Sequence, residues 1–299
     1  MATFTSATTH AVFIPEQWSD ETIVSLEHNL VLAKLVKQIK FDGGVKGDII
    51  HMPSVSTPVA ADISESDTDI VGATPATETD WSLTLNKFKH VTFYIPKHLG
   101  NNLSHYELRA PYTAKISYAL ALIMDTDLFA LVQPTTGLTK SAGTTADGLE
   151  GNISDDMILY GMEQLDALDV PQEGRALVLP VRQKSKLLKI DKFVRADAIG
   201  PDASVIQKAL FGDIYGMGVY FTANTPAKAL ATAPATVADS LIGVMLHEEA
   251  LAIAIPQNVD IDYAYLPQKK CWILSGDCLY GVKVFRDTNG VGIITKAAG

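Results

Sequence analysis

Apolar residues recur at intervals of three and four over Ile23, Leu26, Leu30, Val31 and Leu35, a spacing that predicts an amphipathic helix ending near Val36. Ser19 or Asp20 would cap it, and Pro15 suits a first helical turn just upstream. Such a helix serves either the core or a neighbouring molecule. The dozen residues before Phe13 hold Thr, Ala and Ser without a period and read as a flexible arm. Beyond Lys37 the pattern changes. Ile39-Lys40-Phe41 and Val45 to Met52 read as strands around Asp42-Gly43-Gly44, a tight hairpin signal. Trp81 to Leu85 and Val91 to Ile95 alternate as strands. The long stretch before Trp81 holds Ser, Thr, Ala, Pro and acids in no regular order. A structureless loop of that length is unusual in a compact domain, so an extended two-stranded flap leaving the body is expected. It cannot bury itself and must lie on something else.

A long helix follows, with Pro111 in its first turn and Ile116, Leu120, Ile123, Leu128 and Leu131 along its buried stripe. After a Gly/Thr-rich loop over 134–148, Ser154 caps a second helix with Ile158, Met162 and Leu165 on one face, ended by Val170-Pro171. Arg175 to Pro180 reads as a buried strand. A helix rich in Lys184, Lys186, Lys189 and Lys192 comes next, with Leu187 and Leu188 inward. Strands are expected at Gly218–Thr222 and Ser240–Leu246, on either side of a breaker run from Asn224 to Pro234. A short helix at His247–Ile253 then leads into an all-β tail from Val259 to Lys296. There Asp287-Thr288-Asn289-Gly290 closes a terminal hairpin, because Asn-Gly supplies the positive φ angles of a primed turn.

Composition narrows the class. At 299 residues the chain can bury a sizeable core without disulfides or metal. Charged residues are only 19%, below the usual ~25%, which leaves a membrane segment or a surface covered by other subunits. A spanning helix needs about 20 consecutive apolar residues, and the longest run is of the Tyr118–Met124 kind. The first basic residue is Lys34, so no charged segment precedes an apolar stretch as in a secretory leader. A soluble, assembling chain with no membrane partner is expected. The net charge of −10 argues against broad nucleic-acid affinity, though not against one local basic patch.

Catalytic signatures are missing. No GxGxxG follows a strand, and no GxSxG elbow exists. Gly43-Gly44-Val45-Lys46-Gly47-Asp48 lacks the GK[ST] ending of a phosphate loop. His247-Glu248-Glu249 has the wrong spacing for two zinc-binding imidazoles, and the seven histidines are scattered. Asp125 and Asp127 lie two apart on a helix and point in different directions. One should be solvated and the other should cap or pair with a base. Cys271 and Cys278 sit in an apolar strand-like stretch, where buried free thiols are favoured over a disulfide. Asn102-Leu103-Ser104 and Asn152-Ile153-Ser154 match glycosylation sequons by chance. No catalytic, cofactor-binding or metal residue is assigned.

Two charge features stand out. Between Lys46 and Lys87 there is no Lys or Arg, while Asp62, Glu65, Asp67 and Asp69 crowd the middle of the expected flap. Arg182, Lys184, Lys186 and Lys189 form a basic run that Lys192 and Arg195 extend. That run is a solvated helix face, a nucleic-acid contact, or the seat of another copy's acidic flap. The last alternative gives electrostatic register between subunits.

The order of these parts resembles the major capsid protein of tailed bacteriophages, the Hong Kong ninety-seven type fold shared with cellular encapsulins. Three stretches carry the likeness. Phe13-Ile14-Pro15-Glu16-Gln17-Trp18-Ser19-Asp20 with Asn29 to Ala33 is similar to the arm of such coat proteins. Gly212 to Tyr220, with Asn224 and Pro226 after it, is similar to a recurring turn and strand. Leu246 to Ala252 and Leu279 to Lys283 with Arg286 are similar to the closing segment.

The resemblance implies an α+β chain: an N-terminal arm (1–37), an extended β-hairpin loop (38–95), a peripheral domain with a spine helix (96–174), an axial domain (175–258), and β-strands returning to the peripheral domain (259–299). It implies hexamers and pentamers in an icosahedral shell around packaged double-stranded DNA, held without sequence-specific contacts, in the virion, after assembly in the bacterial cytoplasm. A scaffolding protein and a portal protein are expected partners, and a decoration protein is a candidate. No scaffolding segment precedes the arm, so a separate scaffold is expected. The flap has Lys46 near its base and no lysine beyond it before Lys87, so covalent crosslinking is not carried over. Expected subunit contacts are Trp18, Asp62, Glu65, Asp67, Asp69, Arg182, Lys184, Lys186 and Lys189. The alternatives are an encapsulin shell around an enzyme cargo, and a soluble enzyme with a site around Asp125.

Overall fold

The computed structural model describes residues 31–39, 48–55, 78–97, 109–132, 138, 140–143, 151–190, 213–225 and 240–296. Its longest helix, Arg109–Val132, lies against a four-stranded sheet. Three other short or medium helices accompany it, so α1 is Leu32–Leu35, α2 is Arg109–Val132, α3 is Asp155–Asp166 and α4 is Lys184–Leu187. The strands are β1 Lys37–Ile39, β2 Ile49–Val55, β3 Glu78–Thr84, β4 Lys87–Pro96, β5 Lys140–Ala142, β6 Arg175–Pro180, β7 Asp213–Ile214, β8 Met217–Thr222, β9 Ser240–His247, β10 Leu251–Leu266, β11 Cys271–Val284 and β12 Gly290–Lys296. This is a mixed α+β architecture, as the sequence predicts.

The four-stranded sheet runs β1-β10-β11-β4, with β10, β11 and β4 antiparallel and β1 parallel at the β10 edge. Its helix-facing side is fixed by the period-two pattern of β11, where Leu274, Cys278 and Tyr280 pack on Ile116, Leu120 and Met124 of α2. Gly276 sits in the same row. A Cβ there would stand 2.3 Å from Cγ2 of Ile116, so the helix approaches this closely only because the residue is glycine. The expected stripe on α2 is right at Ile116, Leu120 and Leu128, while Met124, Phe129 and Val132 are buried where Ile123 and Leu131 are only half-buried.

The six-stranded sheet runs β5-β12-β9-β6-β8-β7. Every residue of β6 is buried, Arg175 included, as expected of a buried strand. Helix α3 starts as expected, with Ser154 Oγ accepting the N–H of Met157 at 3.2 Å. It covers the sheet with Met157, Ile158 and Leu165 against Leu177, Met245 and Ile293. The second half of α2 enters a core shared by both sheets, where Leu128, Phe129 and Val132 meet Val178, Ile242 and Ile294 as well as Leu251 and Ile253. Both cysteines are free and buried, as expected.

Four expectations are corrected. First, the strand ending at Ile39 does not form a hairpin with Ile49–Val55: β1 pairs with β10, and β2 pairs with β3. Residues 40–47, with the Asp42-Gly43-Gly44 turn, lie outside the described residues. Second, His247–Ile253 is not a helix. A turn at Glu248–Glu249 leads directly into β10, whose first four residues are all buried. A strand covered on both faces is apolar throughout and carries no period to distinguish it from a helix. Position 259 lies within this strand.

Third, Asp287–Asn289 is a single 3-10 turn between two sheets and closes no hairpin. Strand β11 belongs to the four-stranded sheet and β12 to the six-stranded one. Gly290 is extended, with φ −147°, so the Asn-Gly pair here forms no primed turn. Tyr215 and Gly216 carry the positive φ values of such a turn, 51° and 78°, and join β7 to β8. Fourth, the basic helix is short. A 3-10 turn at Val181–Gln183 and the four-residue α4 hold Arg182, Lys184 and Lys186, with Lys189 just beyond. Leu187 is buried and Leu188 half-buried; Lys192 and Arg195 lie outside the described residues.

Candidate assembly interface

Strands β2 and β3 form a two-stranded ribbon that belongs to neither larger sheet. An isolated ribbon of two strands is marginal in water, and the outer part of this one has little to rest on. At that outer end Pro53, Ser54 and Val55 and the facing Glu78, Thr79 and Asp80 are all exposed, Val55 by 65%. Only Ile50, Trp81 and Leu83, with Leu85 just beyond, reach a small core that includes Ala254 and Ile39. The flap expected from the sequence is therefore present at its base. Its acidic middle, with Asp62, Glu65, Asp67 and Asp69, lies outside the described residues, as does Trp18.

The ribbon's base is firmly held. The indole N–H of Trp81 donates to the Val284 carbonyl at 3.0 Å. Lys283 donates to the Ser82 carbonyl and lies 5.4 Å from the Trp81 ring. Lys37 sits 4.3 Å over the Phe285 ring and bonds Glu249 Oε1 at 2.9 Å, while Arg286 approaches Oε2 at 3.5 Å. The hydrogen bond from Lys37, with its charge and that of Arg286, holds the Glu249 carboxyl below the usual range. Gly281 closes the arrangement, since a Cβ there would stand 2.6 Å from the Thr84 carbonyl oxygen. A hollow of about 380 Å³ opens beside Trp81, Leu131, Val282 and Phe285.

The basic run sits at the far end of β6. Gln183 anchors it: Oε1 accepts the N–H of Ile153 at 3.2 Å and Nε2 donates to the Lys296 carbonyl at 2.8 Å. Lys184 lies 5.7 Å from the Phe221 ring. Arg182 and Lys189 are exposed, and Lys186 is half-buried. The structure thus brings Arg182, Lys184, Lys186 and Lys189 together on one short element. The sequence reading missed Gln183, Trp81 and Phe285. A polar residue three positions beyond a strand that is apolar from Ala176 to Pro180 was the available signal for Gln183, and nothing local marks the other two.

The carboxylates of α2 depart from expectation, since neither is simply solvated. Asp125 is fully buried, with Oδ1 accepting the N–H of Ala33 at 3.2 Å and Oδ2 accepting Nδ2 of Asn224 at 3.1 Å. Burial pushes its carboxyl up, against the pull of these amides. Asp127 accepts the Tyr280 hydroxyl at 2.7 Å and lies 3.4 Å from Lys87, so it pairs with a base. Burial, reinforced by Asp127, raises the Tyr280 phenol, and burial also pushes the Cys278 thiol up. Each Asp125 oxygen thus accepts an amide from another segment of the chain. Among the described residues no cluster of His, Cys, Asp and Glu suits a metal ion, and no helix is long and apolar enough to cross a membrane.

No family model matches the sequence, and no curated protein is similar to it. Solved structures are similar over nearly the whole chain. A structure from Mycobacterium phage Che8 shares 24% identity, covering 94% of this chain and 97% of its own, at a TM-score of 0.73. The capsid structure of the cyanophage P-SCSP1u gives 15%, 96%, 94% and 0.72 in the same order. The mature capsid of bacteriophage PhiM1 gives 12%, 96%, 93% and 0.69. The likeness extends from end to end, so the chain has the fold found in these phage structures.

Proposed function

We propose that this chain, with the fold of phage capsid subunits, is a major capsid protein that assembles with itself into hexamers and pentamers of an icosahedral shell around double-stranded DNA. The observation that carries the reading is the β2–β3 ribbon, firmly rooted but unsupported beyond its root, in a chain matching capsid structures along its length. Its role is structural rather than catalytic, and its place is the virion.

In this reading the segments 1–37 and 38–95 are the arm and the extended loop that reach onto neighbours. The body is the peripheral part (96–174, with α2 as spine), the axial part (175–258) and the returning strands (259–299). Asp62, Glu65, Asp67 and Asp69 of one subunit face Arg182, Lys184, Lys186 and Lys189 of another, and Trp18 packs on a neighbour. Oppositely charged patches fix register and suppress wrong pairings. A scaffolding protein and a portal protein act in assembly, and a decoration protein is a candidate further partner. An acidic subunit does not bind the packaged DNA non-specifically.

Light scattering and negative-stain images of the purified chain, alone and with its scaffold, test this. Closed particles tens of nanometres across, or capsomer-like rings, are expected. A stable monomer or dimer under both conditions would overturn the reading. A chain with Asp62, Glu65, Asp67 and Asp69 all changed to Lys should stay folded and lose shell yield; normal yield would remove the flap-to-basic-run pairing.

A further inference from the structure

Among the described residues Asp125 is the only carboxylate that is fully buried, and three chain segments converge on it. The first is α1. Val31, at its N-cap position, provides no side-chain cap, so the amides of the first turn need an acceptor from elsewhere. Asp125 supplies it from 92 positions along the chain, taking Ala33 N–H at 3.2 Å with the Leu32 amide also directed at it. The second segment is α2 itself, whose Thr126 hydroxyl bonds the Leu122 carbonyl at 2.8 Å and lies 3.2 Å from Asn224 Oδ1. The third is the loop after β8. There Asn224 donates Nδ2 to Asp125 Oδ2 at 3.1 Å, and its main-chain N–H donates to Thr222 Oγ1 at 3.1 Å.

We propose that Asp125 is a coupling latch: its one carboxylate ties the placement of the segment entering α1 to that of the loop leaving β8, so that displacing either loosens the other. The physical basis is that a buried carboxylate must keep its donors. Removing Asn224 strips one oxygen of its partner in a buried site, and the cost of that unsatisfied charge is large. The carboxylate then turns about its soft terminal torsion towards another donor or solvent and releases Ala33. Coupling of this kind is reciprocal. The segments so joined are the two that lead into residues 1–30 and 226–239. All the contacts lie within one chain, so the latch stands or falls independently of the shell reading.

Hydrogen exchange read by mass spectrometry on the full-length chain tests it. Asn224→Ala should speed exchange of the 31–36 amides about tenfold, although among the described residues the Asn224 side chain bonds only Asp125 and Thr126. Ala33→Pro removes the N–H that Asp125 accepts, and Pro is tolerated in a first helical turn; it should speed exchange over 222–225. If each variant loosened only its own segment, the latch would be overturned. Where one variant fails to fold, the other gives the answer alone, and Thr126→Val, which frees Asn224 without touching α1, should loosen 31–36 in the same direction.

Discussion

The indole of Trp81 stands edge-on to the ring of Phe285, with centroids 5.0 Å apart and planes at 86°. One residue belongs to the ribbon and the other follows the last residue of β11, so this pair fixes the direction in which the ribbon leaves the body. Edge-to-face pairs add about 0.5–1.5 kcal/mol beyond area burial.

Trp81→Ala should therefore leave the body folded while lowering stability by about 2–4 kcal/mol through lost packing and the orphaned Val284 carbonyl. Denaturant unfolding gives the magnitude. Hydrogen exchange over 49–55 and 78–84 gives the location, and unchanged protection there would refute the anchoring role.

Gly276→Ala places a methyl against Ile116, a branched and stiff side chain. A loss of about 1–3 kcal/mol is expected from overpacking. The double variant with Ile116→Ala should cost less than the sum of the single changes. Strict additivity in a double-mutant cycle would mean that the close approach carries no strain.

Glu249 titrates below its usual range because Lys37 bonds it. A depressed carboxyl contributes stability above its unfolded pKa, and that stability is lost as pH falls through the folded value. Lys37→Met should thus flatten the acid limb of a stability–pH curve below about pH 4.5. An equally steep limb in the variant would contradict the pairing.

Asp125 has the opposite sign. Its carboxyl is raised by burial, so its contribution is fullest below its unfolded pKa and declines as pH rises through the folded one. The stability deficit of Asp125→Asn relative to the natural chain should accordingly shrink as pH rises from the ordinary carboxylate range towards neutrality. A deficit that grows over that window would show that the amide bonds, not desolvation, control the group.

The sequence revealed elements wherever a single face is buried. The stripe Ile116, Leu120, Leu128 marked α2, and Ser154 marked the start of α3. The reading failed where burial is two-sided, as at Leu251–Ala254, because periodicity vanishes there. It failed again at Asn289-Gly290, where a local turn signal contains nothing about which sheet each flanking strand joins. The proposed subunit contacts rest on charge, in an acid-rich flap and a basic run, whereas the anchorage of the ribbon was illegible. Trp81 and Phe285 lie 204 positions apart, and Asp125 caps a helix 92 positions before it. Such partners are chosen by topology.

The passage of the chain from β11 to β12 sets a schedule for synthesis. Strand β12 is the last made, yet it lies between β5 and β9 inside the six-stranded sheet, and β5 has no other neighbour there. Strand β4 likewise waits for β11, about 180 residues later. A nascent chain therefore carries half-built sheets until β11 and β12 emerge, and contacts of such long range form slowly. On the proposed shell reading, competence to join other copies then arises only once both sheets are complete.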